Sequence, residues 1–383
     1  MAENGSRRIR LGMVGGGTGA FIGYVHRLAS RLDGDYELVA GALSSRPEVA
    51  KESGRNIGLA PDRIYTSYEE MAKQEAARPD GIEAVSIVTP NHMHGGPVKA
   101  FLEAGIHVIC DKPLTHTLEA ARELAAIKPK NGAKFLLTHN YTGYPLVRQA
   151  RELVKSGALG KIRVVQVEYA QDWLSTPADP GNKQAAWRTD PKKSGAGGAI
   201  GDIGTHAYNL ARFITGLKTD SVSADLQSFV KGRKVDDNVH ILLRFVGGAR
   251  GMLWASQVAP GNENALKLRV YGEKAGIEWA QEDPNQMWFT ELGKPRTLLT
   301  RGGAISSPPA ASMNVRIPGG HPEGYLEAFA TLYSQFADVI RGTGKAYAPL
   351  LPTLADGVEG VEFITASIKS SKADGKWTKL SEV

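Results

Sequence analysis

The 383-residue sequence predicts an α/β chain in two parts: a doubly wound parallel sheet over residues 1–139, then over residues 140–383 an α+β part built on a largely antiparallel open sheet. Three observations carry that expectation. Through the first part, short apolar runs alternate with runs of helical apolar spacing, the pattern of parallel strands joined by crossover helices. Beyond residue 140, runs rich in β-branched and aromatic residues follow one another with few helices between them. The first apolar run ends in a glycine cluster, Gly15-Gly16-Gly17-Thr18-Gly19-Ala20.

Taken in order, residues 9–15 read as a strand, Thr18 to Leu32 as a helix and Glu37 to Leu43 as a strand. Glu69 to Glu75 reads as a helix, and Ala84 to Thr89 as a short strand bounded by Pro90-Asn91. Val98 to Ala104 is a helix stopped by Gly105, which favours the left-handed conformation that ends helices. Ile106 to Cys110 is a buried strand, Leu118 to Ile127 a helix and Phe135 to Thr138 a strand. In the second part, a helix at Leu146 to Ser156 precedes strands at Arg163 to Gln171, Asp220 to Val230, His240 to Phe245, Arg250 to Gln257 and Ala265 to Tyr271. Helices are expected around Gly204 to Thr215 and over Tyr325 to Ile340. Two Pro/Gly/Ser-rich stretches, Ser175 to Gly198 and Arg301 to Gly320, read as long functional or interface loops.

Composition narrows the function classes. With 42% hydrophobic and 22% charged residues, the chain is an ordinary globular one. No apolar run approaches the ~20 residues needed to span a bilayer. Arg7-Arg8 leads straight into Ile9-Arg10-Leu11 and reads as a strand flank rather than an export signal, so a cytoplasmic location and no membrane partner are expected. A single cysteine, Cys110, excludes an internal disulfide framework and multi-cysteine metal sites. The net charge of +6 comes from scattered Lys and Arg without a basic run, which suits an anionic cofactor better than nucleic acid.

Gly15, Gly17 and Ala20 fit the pattern G-x-G-x-x-G/A between a strand and a helix. There a glycine turn lets backbone N–H groups approach a pyrophosphate at a helix start, with Thr18 inside the turn. The end of the second strand distinguishes NAD from NADP. Ser44-Ser45-Arg46 offers no acidic residue for a ribose 2′-hydroxyl; the serines suit a free ribose and Arg46 a 2′-phosphate. NAD is the first expectation, and NADP stays open.

Ile109-Cys110-Asp111-Lys112-Pro113-Leu114 and Gly197-Gly198-Ala199-Ile200-Gly201-Asp202-Ile203-Gly204-Thr205-His206 complete the set of motifs. With the glycine turn, Thr89-Pro90-Asn91-His92-Met93-His94, Thr138-His139-Asn140-Tyr141 and Trp187-Arg188, they resemble, in the same order, the family named for glucose-fructose oxidoreductase, inositol dehydrogenase and the rhizopine-catabolism oxidoreductase, Gfo/Idh/MocA. The resemblance covers nearly the whole chain, with texture closest to scyllo-inositol, L-glucose and levoglucosan-type dehydrogenases. Asp111 stands where many members have Glu.

The resemblance implies a Rossmann first part and oxidation of a secondary hydroxyl of a cyclitol or pyranose by hydride transfer to NAD(P). It implies His206 as general acid/base, Lys112 bonded to the reacting oxygen and Asp202 positioning the substrate. Removing a hydroxyl proton as hydride leaves carbon needs a base, a charge stabiliser and an orienting group, the three types these residues supply. Asp202 and His206 are four apart, on one face of a helix, where an ion pair without chemistry is the alternative. Lys112 sits at the end of a parallel strand, where doubly wound sheets bind ligands.

Asn91, His92, Thr89 and Asn140 are implied against the cofactor, and Trp187-Arg188 either approaches it or anchors packing. Tyr141, Gln171, Asp172 and Trp173 offer donors, acceptors and a stacking face for a polyhydroxylated ring, or else belong to the core. His321 in Gly319-Gly320-His321-Pro322 is either a substrate contact in a neighbouring subunit or a solvated histidine. No metal is expected from His92, His94 and His206, and a homotetramer is expected from strand-rich second parts of this type. Two other readings are an NAD-assisted redox glycosidase and a sugar or dinucleotide sensor that kept the fold alone.

Overall fold

A computed structural model describes residues 7–179, 181–302 and 315–383. The chain divides into two units, the first running to Asn140 and including Tyr325–Val358, the second comprising Tyr141–Gly324 and Glu359–Val383.

The first unit is a five-stranded parallel sheet in the order β2-β1-β3-β4-β5, formed by β1 (Ile9–Gly15), β2 (Tyr36–Ala42), β3 (Ala84–Val88), β4 (His107–Cys110) and β5 (Phe135–Leu137). Helices α1 (Phe21–Leu32), α2 (Pro47–Asn56), α3 (Tyr68–Ala77), α4 (Gly95–Ala104) and α5 (Leu118–Ala125) connect the strands. The order reverses at β1, which pairs with β2 on one side and β3 on the other. In a doubly wound sheet this switch point opens a crevice at the carboxyl ends of the strands. Every first-part residue expected in the site follows the carboxyl end of a strand: the glycine turn after β1, Ser44 to Arg46 after β2, Thr89 to His92 after β3, Lys112 after β4 and Asn140 after β5.

The second unit holds a nine-stranded sheet. Its order is β13-β12-β11-β10-β6-β9-β8-β7-β14, from β6 (Ile162–Ala170), β7 (Thr219–Gln227), β8 (Asn238–Phe245), β9 (Arg250–Ser256), β10 (Ala265–Gly272), β11 (Ala275–Ala280), β12 (Gln286–Glu291), β13 (Thr297–Thr300) and β14 (Thr378–Lys379). Neighbours are antiparallel except β6 and β9, so the sheet is largely antiparallel as expected. On β8, Val239, Ile241, Leu243 and Phe245 are buried while His240, Leu242 and Arg244 face outward, the period of two that covers one face of a sheet. Helices α6 (Pro145–Lys155), α7 (Lys183–Arg188), α8 (Pro191–Ser194) and α9 (Thr205–Thr215) belong to this unit. Among the described residues no helix is long and apolar enough to cross a membrane.

Several expectations need correction. Helix α1 starts at Phe21 rather than Thr18, because the turn continues through Gly19, itself at φ +81°. Strand β7 stops at Gln227, before the expected Val230: the Asp237 carboxylate accepts the N–H groups of Phe229 and Val230 and turns the chain there. The stretch Ser175 to Gly198 contains α7 and α8, with Pro180 outside the described residues, as are residues 303–314 of the expected loop Arg301 to Gly320. Helix α10 (Tyr325–Arg341) is found where expected, but it packs in the first unit rather than in a contiguous second part. There Phe329, Leu332, Tyr333 and Phe336 share a core with Leu11, Val25, Tyr36, Ile109 and Leu136. Helix α11 (Leu354–Lys372) was not foreseen.

Candidate active site

In the first unit, Gly15 and Gly16 adopt φ of +77° and +73°, values that cost a side chain dearly. A Cβ on Gly17 would stand 2.7 Å from the Leu43 carbonyl and 2.8 Å from Ser53 Oγ, so the turn lies directly on β2 and α2. Thr18 N–H donates to Ser53 Oγ at 3.0 Å, and the Arg27 guanidinium donates to the Gly16 carbonyl at 2.7 Å. Helix α1 has Ala20 at its N-cap, with no capping side chain and no acidic residue in its first turn. Its first N–H groups and positive dipole end are the donor set a pyrophosphate requires.

Around this turn, Ser44 Oγ accepts from Arg46 N–H at 3.1 Å, and Ser45 and Arg46 are exposed. Thr89 Oγ1, His92 Nδ1 and Asn140 Nδ2 are buried with no hydrogen-bond partner among the described residues. Buried polar atoms of that kind are normally satisfied, so three of them at one sheet edge suit a polar ligand. Asn91 is buried beside them, in the short turn Asn91–Met93.

Lys112 is half-buried just past β4. Behind it, Asp111 N–H donates to the Ile87 carbonyl at 2.9 Å, and its Oδ1 accepts from Thr138 Oγ1 at 2.9 Å. His26 Nε2 lies 4.0 Å from the same oxygen, while His26 Nδ1 meets Tyr333 Oη at 2.8 Å and Tyr333 Oη meets Ser86 Oγ at 2.6 Å. Burial pulls the His26 pKa down to about 4 against the pull of Asp111, so the ring is neutral near pH 7. His26 and Tyr333 carried no signal of this role in the sequence, since one lies mid-helix in α1 and the other in α10.

In the second unit, Asp202 occupies a π-helical turn, Ile200–Gly204, that runs directly into α9, where His206 is the second residue. The wide turn replaces the regular helix that sequence spacing suggested; such turns are frequent at functional sites. It is anchored by Asp236, whose carboxylate accepts Gly198 N–H at 2.7 Å and Ile200 N–H at 2.8 Å. Any Cβ on Gly198 would collide with the Asp236 carbonyl. Burial pushes the Asp236 carboxyl up to about 6, while those two backbone bonds oppose the shift.

The Asp202 carboxylate accepts from Arg188 Nε and from Gln257 Nε2, both at 3.0 Å. The Arg188 guanidinium lies 4.3 Å from the Trp187 ring centroid and 5.8 Å from that of Trp173. His206 is buried with its ring edge-on to Tyr141, centroids 4.8 Å apart. Tyr141 Oη bonds Tyr169 Oη, and Tyr169 Oη and Gln171 Nε2 both donate to Asn264 Oδ1 at 2.7 Å. Trp173 Nε1 donates to Gln171 Oε1 at 3.0 Å. Asp172 instead accepts from Gly261 N–H at 3.1 Å.

One connected set of side chains therefore joins Tyr141, Gln171, Trp173, Trp187, Arg188, Asp202 and His206; sequence reasoning missed its members Gln257 and Asn264, and Asp236, which holds the backbone of the π turn. Arg188, expected against the cofactor or in packing, here holds Asp202. His321 stands apart in an exposed loop, fastened by the buried pair Arg301–Glu323 at 3.0 Å and by its own carbonyl on Arg301. Among the described residues no group of three His, Cys, Asp or Glu could hold a metal ion.

A model of the oxidoreductase family with an NAD-binding Rossmann fold matches residues 9–139, and one of the GFO/IDH/MocA C-terminal domain matches residues 147–278. The structure is similar to that of an oxidoreductase from Sinorhizobium meliloti, 54% identical, with TM-score 0.90 and coverage of 98% of this chain and 100% of that one. An inositol dehydrogenase homolog from Azotobacter vinelandii, complexed with NADH and myo-inositol, is 38% identical over 98% of both chains, with TM-score 0.90. Levoglucosan dehydrogenase of Pseudarthrobacter phenanthrenivorans is 31% identical over 73% of this chain and 76% of its own length.

Proposed function

Since the chain belongs to the GFO/IDH/MocA family of oxidoreductases and its first unit is an NAD-binding Rossmann domain, we propose that it oxidises one secondary hydroxyl of a cyclitol or pyranose sugar. The observation that carries this reading is the set around His206: an imidazole packed against Tyr141, one turn after a carboxylate held by Arg188 and Gln257. Polar groups fixed by their own partners suit recognition of a ring bearing several hydroxyls. The relatives with myo-inositol and levoglucosan in their names support the same substrate class.

NAD would supply the hydride acceptor when bound. The glycine turn and the start of α1 take the pyrophosphate, and Thr89, Asn91, His92 and Asn140 take the nicotinamide ribose and its neighbourhood. Ser44 and Ser45 bond the adenosine ribose. Arg46 would instead meet a 2′-phosphate, so NADP is the comparison cofactor.

His206 removes the hydroxyl proton as the C–H bond breaks, and Lys112 donates a hydrogen bond to the same oxygen as it becomes a carbonyl. Asp202 holds the substrate with an oxygen that Arg188 and Gln257 keep in place. Tyr141, Gln171 and Trp173 line the rest of the ring's surroundings. His321, exposed in its fastened loop, is assigned to substrate contact in the site of a neighbouring copy. The outward face of the nine-stranded sheet bears Val164, Leu242 and Met252, which we assign to association in a homotetramer. The expected compartment is the cytoplasm, which suits the single buried cysteine.

Absorbance at 340 nm with NAD and NADP across inositols, D- and L-glucose, glucosides and levoglucosan tests the reaction. His206→Ala is expected to lower kcat by about 100-fold or more. Dinucleotide binding without net reduction on any substrate would favour the redox glycosidase or the sensor. A monomer by light scattering would refute the assembly.

A further inference from the structure

His94 closes the motif that begins at Thr89, yet it has no part in the reaction described above. It is buried, between the short turn Asn91–Met93 and the start of α4. Its ring lies between two backbone carbonyls: Nε2 is 2.8 Å from the oxygen of Thr89, and Nδ1 is 2.7 Å from the oxygen of Pro113. Thr89 follows β3, and Pro113 directly follows Lys112. The parallel ladder between β3 and β4 pairs Ile87 with Cys110, and the Asp111 N–H bond to the Ile87 carbonyl is one step further on. Past that bond the two strand ends separate into the segments that carry the cofactor residues and Lys112.

We propose that His94 is the positioning residue of Lys112, its imidazole tying the lysine's segment to the end of β3 and so fixing the ammonium relative to the nicotinamide side of the site. The inference rests on the reading that Lys112 bonds the reacting oxygen. Side chains near a reaction centre must be held to a fraction of an ångström, and a misplacement of 1 Å can cost about 100-fold in rate.

The ring has a second property. A neutral imidazole has one N–H and can donate to only one of the two carbonyls; both are satisfied only by the imidazolium. Burial pulls the His94 pKa below the ordinary imidazole value, while Asp111 and the carbonyls of Pro113 and Thr89 push it up and Lys112 pulls it down. A charge on His94 in turn lowers the pKa of His116. Near pH 7 one bond carries the tie, and acidification adds the other.

Three substitutions separate the two bonds. His94→Asn places an amide N–H where Nδ1 stands and keeps the Pro113 bond; His94→Gln places one where Nε2 stands and keeps the Thr89 bond; His94→Phe keeps the bulk and neither bond. The expected result is a fall in kcat of about 10- to 100-fold for His94→Phe, with the NAD dissociation constant within about threefold of wild type. His94→Asn should retain more activity than His94→Gln, because it grips the residue next to Lys112. Besides the acid limb that His206 gives every variant, the wild-type kcat–pH profile should carry a second inflection that His94→Asn lacks.

The proposal is overturned if His94→Phe keeps kcat within twofold, or if all three variants lose kcat and NAD binding in parallel. Should His94→Phe fail to fold, the order of Asn over Gln decides. Crystal structures of wild type and the variants provide a readout that needs no substrate: Lys112 Nζ is expected to move by about 1 Å in His94→Phe and to stay in place in His94→Asn. If the wild type oxidises no polyol, the reading of Lys112 fails, and the position of Nζ still decides whether His94 holds it. An unmoved Nζ in His94→Phe sinks the proposal whatever the kinetics show.

Discussion

Replacing Arg148 by methionine should stabilise the second unit. Arg148 lies in α6, is 1% exposed, and among the described residues makes one hydrogen bond, from Nε to the Thr142 carbonyl. Nη1 and Nη2 are buried with no hydrogen-bond partner among the described residues. Its guanidinium carbon is 5.4 Å from the Phe213 ring centroid, and the other charge that acts on it is Arg151, a second cation. Burial first, then Arg151, pull its pKa from the ordinary guanidinium value down to about 9.

That shift corresponds to about 5 kcal/mol against the charged form, since each unit is worth about 1.4 kcal/mol. Methionine gives up one charge-assisted hydrogen bond, about 1.5–3 kcal/mol, and a ring contact worth about 1 kcal/mol. The net gain is on the order of 1–2 kcal/mol, in line with apolar replacement of buried charges elsewhere. All six tryptophans, Trp173, Trp187, Trp254, Trp279, Trp288 and Trp377, lie in the second unit, so their fluorescence during urea unfolding reports that unit. A midpoint shift corresponding to a loss of more than about 1 kcal/mol would refute the reasoning, because it would mean the guanidinium is satisfied in solution.

Two further outcomes follow from the first unit. His26 and His139 are buried with pKa values pulled from 6.5 to about 4, mainly by burial. Their folded forms resist a proton that the unfolded chain accepts, so stability is full above about pH 6.5 and falls as pH drops towards 4, by about 3 kcal/mol per ring. Amide exchange of first-unit peptides at pH 7, 5.5 and 4.5 measures it, and protection independent of pH would count against neutral burial. Gly17→Val should weaken NAD binding by about 100-fold or more in calorimetry, a loss of roughly 3 kcal/mol, with tryptophan-detected unfolding unchanged. Affinity within twofold of wild type would show that the turn does not hold the dinucleotide.

Features with a local cause were legible in the sequence. The glycine turn, the strand ends bearing Thr89 and Lys112, and the Asp202 to His206 segment announce themselves within a few residues, as does the alternation of β8. The remainder depends on partners distant in the chain. Helix α2 (PEVAKESGRN) buries Ala50, Ser53 and Gly54, too little apolar surface for a periodic signal. The apolar stripe of α10 is plain, but nothing local says which core receives it. Asp202 meets Arg188 and Gln257 from 14 and 55 residues away, and only folding reveals those pairs. The π turn likewise depends on Asp236, 36 residues after Ile200.

The late placement of α10 bears on how the protein is made. A ribosome that has released the first 140 residues has delivered every strand of the parallel sheet, but not Phe329, Leu332, Tyr333 or Phe336, which complete its core. The apolar side of α1 and β2 and the bonding groups of His26 and Ser86 have to wait for almost two hundred further residues. At ~5–20 residues per second, that interval lasts on the order of ten seconds or more. The nascent sheet is a natural client for chaperones throughout it, and a chain terminated before α10 would carry the whole glycine turn on a sheet whose core is incomplete.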